Sequence, residues 1–421
     1  MFARFRKIYH EFPRQFWVVV ITSFIDGIGN TMVFPFFALY ITQKFHVGMT
    51  QAGMLLGMFS LAGLVGGGLG GALTDKFGRR KLILFGLVFS AISTILLGVT
   101  NSLLLMYPIS AMIGLIGSIA GPAHGAMIAD ILPESKRSEG FGILRVVGNM
   151  TWIVGPTIAG FVASKSFLAL FLTDAVISCI VALIVYRFIK ETKPPTAEDH
   201  QEQTITQTMA GYGVVFRDFP FVAFIVSSIL MGIVYLQMYG SLSVYLRDNY
   251  GIDPQGYGVL MSTSAITVIL FQFWTTRQIK TRPPFQMMAL GAIFYAIGFT
   301  LFGIVETFFL FALNIVIITI GEMIVMPTSQ TLAAGFAPER MRGRYMAVFG
   351  LSWAIPSTVG PGAAGYILDN YNPNLLWYLG GILTLVSVAG FSFSICVWAQ
   401  EGNLPPSWKR QPLFQPQPIK T

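Results

Sequence analysis

The stretch VGGGLGGALTDKFGRRKLIL, residues Val65–Leu84, decides the fold class, because its glycines allow two opposite interpretations. Gly66, Gly68 and Gly71 have the G-x-G-x-x-G spacing of a loop that holds the phosphates of a dinucleotide. Such a loop needs a preceding strand and a helix that begins at the glycines, whereas this cluster lies inside an apolar run. The stretch therefore indicates a membrane helix and not a nucleotide site.

The composition supports a membrane protein. Of the 421 residues, 54% are hydrophobic and only 11% are charged, and the mean hydropathy is +0.67. A soluble domain has about 25% charged residues. The apolar residues form blocks of about 20, long enough to cross a bilayer, and lipid allows only helices or closed barrels to do so. The sequence predicts an all-α, multi-pass membrane protein with twelve transmembrane helices, at 16–41, 53–74, 82–100, 103–129, 142–164, 166–189, 221–246, 256–276, 286–303, 306–332, 345–367 and 374–398.

The basic residues predict the orientation of these helices. With twelve spans, 23 of the 27 lysines and arginines fall on one side of the membrane. Lys44, Lys165 and Arg247 fall on the other side, and Arg145 lies within a span. This asymmetry predicts a cell-membrane protein with both termini cytoplasmic. The net charge of +8 thus reports orientation, and we expect no nucleic-acid partner.

The chain contains an internal repeat. Residues 121–160 and 326–365 align without gaps at an offset of 205. This register predicts two six-helix halves of the same orientation, as in transporters that rock one half against the other. We expect an N-terminal bundle at 1–189, a cytoplasmic linker at 190–220, a C-terminal bundle at 221–398 and a proline-rich, disordered cytoplasmic tail at 399–421. The matched pairs are Pro122 with Pro327, Pro133 with Pro338, Glu134 with Glu339, Arg137 with Arg342, Gly155 with Gly360, Pro156 with Pro361 and Gly160 with Gly365.

The glycines of the second helix have a packing explanation. Gly63, Gly67 and Gly71 recur every four residues, which predicts one face where another helix approaches closely. The two cysteines, Cys179 and Cys396, fall inside predicted spans and are interpreted as small core residues. They indicate neither a disulfide nor a metal site, and we expect no metal and no cofactor.

The run from Gly71 to Arg80, G-x-x-x-D-x-x-G-R-R, resembles the loop signature of the major facilitator superfamily. The resemblance implies the major facilitator fold, two pseudo-symmetric six-helix bundles. It also implies that Asp75 caps helix eleven, and that Arg79 bonds Asp130 in a cluster that locks the outward-facing state. Gly78 and Arg80 complete the motif. An acid at a helix C-terminus, such as Asp130, needs a cationic partner on dipole grounds as well. The alternative is an ordinary interfacial ion pair.

Helix five carries Gly155, Pro156 and Gly160, which resemble the G-P-x-x-G-G signature of the drug/proton antiporters. Ala159 replaces the first of the two closing glycines. Proline removes a backbone hydrogen bond, so this segment is interpreted as a hinge against the other half, with a simple packing kink as the alternative. The stretch DGIGNTMVFPFF at 26–37 is similar to the first-helix motif of the same exporters. The region 321–346 is similar to their helix ten.

Ionisable residues inside the membrane predict the coupling site. Each costs about 3 kcal/mol or more at mid-bilayer, so each needs an explanation. Asp26 in helix one and Glu322 in helix ten are interpreted as proton or cation carriers that face one cavity from opposite halves. A structural hydrogen bond is the alternative for each.

Three further residues have less specific interpretations. His124 is a candidate proton relay, or a hydrogen-bonded structural histidine. Arg145 holds a buried acid or extends to the interface. Asp174 is interpreted mainly as a helix–helix hydrogen-bonding residue. Many proton antiporters of the superfamily carry an arginine in helix four, whereas residues 101–129 contain no arginine or lysine.

Aromatic and methionine side chains predict the substrate class. Such polarisable walls suit varied lipophilic cations, partly through cation–π contacts, although lipid-facing bulk is the alternative for each residue. The predicted cavity residues are Phe34, Phe37, Tyr235, Met238, Tyr239 and Trp353.

These features favour a secondary active transporter, most specifically a proton-coupled exporter of hydrophobic or cationic small molecules that works by alternating access. The alternatives are a transporter of a defined metabolite and a non-transporting membrane sensor or scaffold. No ATPase motif, nucleophile or metal cluster is visible, so an enzyme is not expected. The expected partners are a small-molecule substrate, protons and membrane lipid, and the chain is expected to work as a monomer.

Overall fold

The structure is a computed structural model that describes residue 9 and residues 11–193, 212–280, 282–338 and 341–400. Residues 194–211 of the predicted linker and 401–421 of the predicted tail lie outside the described residues. The linker and the tail therefore stay predictions.

Helices occupy all twelve predicted spans, and the described residues contain no β-strand, which confirms the all-α membrane fold. Among the described residues, eleven helices are long and apolar enough to cross a membrane. The twelfth, α11, is less apolar because it contains two arginines, an aspartate and several glycines and prolines. In chain order the helices are α1 Arg14–Phe45, α2 Met49–Phe77, α3 Arg79–Val99, α4 Leu103–Ile131, α5 Glu134–Ala163, α6 Phe167–Phe188, α7 Phe219–Met238, α8 Pro254–Lys280, α9 Pro284–Phe302, α10 Phe308–Phe336, α11 Arg342–Asn370 and α12 Asn374–Gln400.

Two helices have short 3-10 turns within a few residues of corresponding positions of the repeat. A short 3-10 turn, Phe34–Phe36, divides α1, and another, Leu236–Met238, ends α7. Pro35 in the first turn has no N–H to donate. A separate short helix, Ser241–Tyr250, follows the second turn, so the predicted span at 221–246 consists of two pieces. Paired interruptions of this kind are typical of the binding region in duplicated membrane transporters.

Contacts divide the chain into two compact units. The first contains the described residues up to Lys193 together with Tyr239–Ser262 and Pro361–Tyr366, and the second contains the rest. The predicted bundles at 1–189 and 221–398 differ from these units at the two added segments. A division into two rigid six-helix bundles stays a prediction.

The packing of the first unit reproduces the sequence repeat. Gly160 of α5 lies against Pro254 and Gly258 of α8, and a methyl group on Gly160 would come within 2.9 Å of the Gly258 Cα atom. At the same offset of 205 in the sequence, Gly365 of α11 lies against Met49 of α2. A methyl group on Gly365 would overlap the Met49 carbonyl oxygen. The same kind of backbone contact thus occurs at corresponding positions of the two halves.

The packing face of α2 differs from the predicted one. Gly66 and Gly70 are buried against α4, and a methyl group on Gly70 would lie 2.5 Å from a carbonyl oxygen of that helix. Of the three predicted glycines, Gly63 makes such a contact, but no described neighbour lies within 4 Å of a methyl group on Gly67 or Gly71. Residues spaced four apart drift by about 40° around the helix at each step, so Gly67 and Gly71 turn away from α4. Alternating spacings of three and four residues, as in Gly63, Gly66 and Gly70, stay on the face that contacts α4.

Aromatic rings form the core at one end of the second unit. Phe336 of α10 stacks on Trp398 of α12 with 4.1 Å between ring centroids. The same ring lies 5.6 Å from Phe221 and from Phe224 of α7. Rings of this size bury a large apolar area and prefer offset or edge contacts. They fix α10, which carries Glu322, beside α7.

The outer surfaces of the helices are apolar. Leu104 and Phe309 are 79% and 75% exposed. Exposed apolar side chains on membrane helices are expected to face lipid. Cys179 and Cys396 are also exposed, so their interpretation as core residues is wrong.

Candidate functional site

A cavity of about 980 Å³ lies among the six helices α1–α6 of the first unit. Phe34, Phe37 and Trp152 give its wall aromatic surface, and Asp26 and His124 give it ionisable groups. No lysine or arginine is among the lining residues in the described part of the chain. The cavity therefore combines apolar walls with acidic side chains, and no lysine or arginine of the described lining neutralises them.

Asp26 is held on α1 by the next turn of the same helix. Asn30 Nδ2 donates to Asp26 Oδ2 and to the Asp26 backbone oxygen, each at 3.2 Å. One amide thus orients the carboxyl toward the cavity that both residues line.

Asp174 of α6 lines the same cavity and is buried, with 6% of its surface exposed. Thr94 Oγ1 of α3 donates to Asp174 Oδ2 at 2.9 Å, which is the helix–helix hydrogen bond expected for this residue. Its other carboxyl oxygen fills the space left by the missing side chain of Gly29 on α1. Gly29 lies three residues after Asp26, so Asp174 packs against the same stretch of α1.

The other two candidates of the first half differ in position. His124 lies on α4 in the cavity wall, and its side chain makes no hydrogen bond to any described residue. Arg145 on α5 is exposed and is not among the lining residues. The structure thus places His124, but not Arg145, beside the cavity that Asp26 lines.

In the second unit, Glu322 of α10 accepts a hydrogen bond from the Tyr235 side chain of α7. Glu322 Oε2 is buried and has no hydrogen-bond partner among the described residues. The Tyr235 ring stacks on Tyr295 at 5.6 Å and meets Trp353 edge-on at 6.0 Å. Glu322, Tyr235 and Trp353, predicted separately, therefore form one cluster.

The remaining aromatic candidates lie elsewhere. Met238 is fully buried. Tyr239 packs edge-on against Trp152 at 4.9 Å, and Trp152 in turn contacts Phe34 at 6.3 Å, so Tyr239 extends the aromatic wall of the first cavity. Asp26 belongs to the first unit and Glu322 to the second. A chamber that both acids face stays a prediction.

The junction of α2 and α3 contains the ion pair of Arg79 with Asp130 that the signature implies, and a second one of Arg79 with Asp75. Arg79 Nε lies 3.0 Å from Asp130 Oδ2, and Arg79 Nη1 lies 3.5 Å from Asp75 Oδ1. Gly78 connects the two helices with a φ of 94°, a conformation that favours glycine. The Arg80 guanidinium lies over the Tyr186 ring, 5.1 Å from its centroid. The Asp75 side chain is 72% exposed, and its capping of α11 stays a prediction.

Three residues that sequence reasoning missed complete this junction. The Glu191 carboxylate accepts the backbone N–H groups of Arg79 at 2.8 Å and Arg80 at 3.2 Å, at the first turn of α3. Thr192 donates to Asp130 Oδ2 at 3.2 Å, and the Lys193 ammonium donates to a backbone oxygen at the end of α2 at 3.1 Å. The available signal was the Glu-Thr-Lys segment at 191–193, separated by two residues from the end of α6, because a helix N-terminus such as that of α3 attracts an anion.

The environment of Glu191 favours its charged form. Burial raises the pKa of this carboxyl. Hydrogen bonds from the backbone N–H groups of Arg79, Lys193, Thr192 and Arg80 lower the pKa by more, so the net pKa lies below the ordinary value of a glutamate. The junction of α2 and α3 therefore includes a fixed negative charge.

In this structure, Gly155 and Gly160 of the predicted hinge in α5 contact neighbouring helices. α5 is continuous from Glu134 to Ala163. A methyl group on Gly155 would overlap the Thr31 hydroxyl of α1, and Gly160 contacts Gly258 of α8. These glycines bring α5 close to both neighbours, and bending at this position stays a prediction.

Comparison with known proteins identifies the family. The family model of the Major Facilitator Superfamily matches residues 19–361 and 238–419. The chain is 26% identical over 381 residues to a Na(+), Li(+), K(+)/H(+) antiporter of Planococcus maritimus. The alignment covers 83% of this chain and 89% of the relative. It is 22% identical over 389 residues to the multidrug resistance protein MdtH of Shigella boydii, in an alignment that covers 90% of this chain and 94% of the relative.

Solved structures share the fold at low identity. A POT family transporter in complex with 5-aminolevulinic acid has a TM-score of 0.76 at 15% identity and covers 92% of this chain and 96% of its own. The nucleoside transporter NupG has a TM-score of 0.75 at 15% identity and covers 90% of this chain and 100% of its own. Together with the family match across nearly the whole chain, these results show that the chain belongs to the Major Facilitator Superfamily and is a transporter rather than an enzyme.

Proposed function

We propose that the protein is a proton-coupled exporter of hydrophobic or cationic small molecules. The observation that carries the proposal is the cavity of about 980 Å³ in the first unit, whose wall includes Asp26 as well as Phe34, Phe37 and Trp152. A pocket of this kind, mostly apolar with a few polar groups, is typical of small-molecule binding. Aromatic faces and a carboxylate together attract lipophilic cations.

The acids supply the coupling. A carboxyl in a membrane helix is costly when it is ionised and unpaired, so it binds either a proton or a cationic substrate. Glu322 fits the same role in the second unit, because one of its oxygens is buried without a partner among the described residues. Competition between protons and substrate at Asp26 and Glu322 exchanges one for the other as the protein alternates between its two open states.

The remaining predicted residues serve the conformational change. Arg79 and Asp130, with Asp75 and the turn at Gly78, act as a lock that breaks and re-forms in each cycle. Gly155, Pro156 and Gly160 allow α5 to move against its neighbours. The distribution of basic residues supports a location in the cell membrane with both termini cytoplasmic.

The names of two relatives agree with this proposal, because one is a cation/proton antiporter and another a multidrug resistance protein. The solved structures that share the fold are transporters of other molecules, which supports the fold alone. Transport of one defined metabolite is the main alternative.

Purified protein in liposomes with an imposed pH gradient and a lipophilic cationic dye tests the proposal. We expect gradient-driven dye movement that falls at least about tenfold in Asp26→Asn and in Glu322→Gln, because each change removes a proton-binding group. Glu306→Gln, which alters an exposed acid outside the helices, is the matched control and should transport normally.

Dye movement that ignores the pH gradient, or full activity in both acid variants, contradicts the proposal. Transport of a single metabolite in a parallel screen, with no dye movement, supports the alternative. Binding of dye without any flux also contradicts the proposal.

A further inference from the structure

The residues of α1 that line the first cavity form a strip along one face of the helix. Ser23, Asp26 and Asn30 follow one another at spacings of three and four residues, and all three line the cavity. Side chains at these spacings are neighbours on the surface of an α-helix. The same spacing continues to Phe34 and Phe37, which also line the cavity. The wall that α1 provides therefore has a polar end and an aromatic end.

The hydroxyl hydrogens of this wall are already bonded within the protein. Thr22, Ser23 and Thr31 line the cavity, and each donates to a backbone oxygen of α1, at 2.9, 2.7 and 2.8 Å. On α3, Ser93 donates to a backbone oxygen at 2.9 Å in the same way. A hydroxyl that donates to the backbone keeps only its acceptor lone pairs for a ligand. These four residues can therefore accept a hydrogen bond from a ligand without losing one of their own.

Asn30 also presents an acceptor. Its Nδ2 group donates to Asp26 Oδ2 and to the Asp26 backbone oxygen, each at 3.2 Å. Because both of these atoms are acceptors, the amide nitrogen lies at this end of the side chain and the amide oxygen at the other. Asn30 is exposed in the cavity wall, and its Oδ1 accepts no hydrogen bond from any described residue. A carboxylate and an amide oxygen thus lie one helical turn apart, and both can accept a hydrogen bond from a ligand.

The complementary ligand is a cation with hydrogen-bond donors. The described lining contains no lysine or arginine, and lining residues with a side-chain N–H group, such as His124 and Trp152, belong to α4 and α5. A ligand that matches the polar end of α1 therefore has a positive charge and N–H groups. At 1.5 Å per residue, Phe34 begins the aromatic end about 6 Å along the helix from Asn30. This distance suits an apolar body attached to the charged group.

We propose that the cavity selects protonated amines that keep N–H groups, with the ammonium at Asp26 and Asn30 and the apolar body against Phe34 and Phe37. Asp26 supplies the opposite charge, and Asn30 Oδ1 accepts an N–H hydrogen bond, which makes Asn30 a specificity-determining residue. A quaternary ammonium ion has the charge but no N–H group, so it leaves this acceptor unpaired and binds less tightly. The inference rests on the proposed export function and names its substrate class.

Isothermal titration calorimetry of the purified full chain in detergent, at neutral pH, tests this inference with two cations that share one body, phenylbutylammonium and phenylbutyltrimethylammonium. We expect the unchanged chain to bind the primary ammonium about tenfold or more tightly than its trimethyl analogue, the size of one hydrogen bond to a charged group. Asn30→Leu, which removes the acceptor at similar side-chain size, should reduce this ratio to about threefold or less. Asp26→Asn should weaken the binding of both cations, because each loses its counter-charge. Asn101→Leu, the same substitution at an exposed asparagine between α3 and α4, should change neither affinity.

The ratio of the two affinities separates selection by Asn30 from a role in positioning Asp26 alone. In the second case Asn30→Leu weakens both cations alike and keeps the ratio, which overturns the inference. Equal affinities in the unchanged chain also overturn it, and that result depends on no variant. Thermal unfolding midpoints identify a variant that misfolds, and Asn30→Ala, which also lacks the acceptor, then replaces Asn30→Leu with the same expected ratio.

The two proposals fail in different ways. If the chain does not distinguish the two cations but still moves dye in response to the pH gradient, only the substrate class is wrong. If neither cation binds and no dye moves, both the substrate class and the export function are wrong.

Discussion

At the scale of single residues, Glu191 shows how one carboxylate organises a helix junction. It accepts the first N–H groups of α3, and its oxygen lies where a side chain at Gly78 would be, 2.6 Å from a methyl group placed there. Because a helix N-terminus carries a partial positive charge, the carboxylate stabilises the start of α3. Through Thr192, the same segment also reaches Asp130, the partner of Arg79.

The pH dependence of this junction follows from Glu191. Because its folded pKa lies below the ordinary value, its stabilisation is complete above the ordinary pKa and is lost as the pH falls through the lowered one. We expect Glu191→Gln to remove about 0.3–1 kcal/mol of local stability, the size of a helix-dipole interaction at an exposed site. Hydrogen exchange at the Arg79 and Arg80 amides should then be about two- to fivefold faster at neutral pH.

Acidification of the unchanged protein should reproduce the effect, after correction for the pH dependence of exchange itself, whereas Glu191→Gln should no longer respond. Glu306→Gln serves as the control. Equal exchange in the variant and the unchanged protein at neutral pH would show that the carboxylate does not hold the junction.

The identity of the cavity acids could be predicted only in part from the sequence. A carboxyl within an apolar run can be recognised in the sequence, because burying an ionisable group in the membrane costs free energy. Asp26, Glu322 and Asp174 could be predicted as candidates for this reason. The side of the helix that each acid occupies relative to its neighbours is not visible, because it depends on how helices rotate against one another. The contacts of Asp174 with Thr94 and Gly29, and the junction of Glu191 with α3, therefore appear only in three dimensions.

At the scale of helices, the lengths of the apolar runs predicted where the membrane spans lie. They did not predict the residues at which the helices begin and end. α5 begins at Glu134, eight residues before the apolar run at 142, because charged residues extend the helix beyond the lipid. The glycines of α2 show the same limit. Spacing alone favoured Gly67 and Gly71, whereas Gly66 and Gly70 contact α4.

Substitution of adjacent glycines tests the helix contact. Gly66→Ala places a methyl group against the Leu115 carbonyl oxygen and should cost about 1–3 kcal/mol, as overpacking does. Gly67→Ala meets open space in the described structure and should be neutral or slightly stabilising, since alanine favours helix by about 0.5–1 kcal/mol. Thermal unfolding midpoints in detergent measure both. Equal midpoints for the two variants would mean that α2 packs on another face.

At the scale of the whole molecule, the duplication explains more than any single motif. The offset of 205 relates the proline–glycine clusters in the sequence, and the contact of Gly160 with α8 matches that of Gly365 with α2. Each unit contains membrane acids and aromatic side chains: Asp26 lines the same cavity as Phe34 and Phe37, and Glu322 lies beside Tyr235. This arrangement fits a transporter in which both halves contribute a proton-binding group.

The most direct test of that account measures protons released when a lipophilic cation binds. Purified protein in weakly buffered detergent solution, with a pH-sensitive dye, would receive tetraphenylphosphonium. The account predicts proton release that saturates with cation binding and disappears in the double variant Asp26→Asn, Glu322→Gln. Cation binding without proton release, or undiminished release in the double variant, would contradict it.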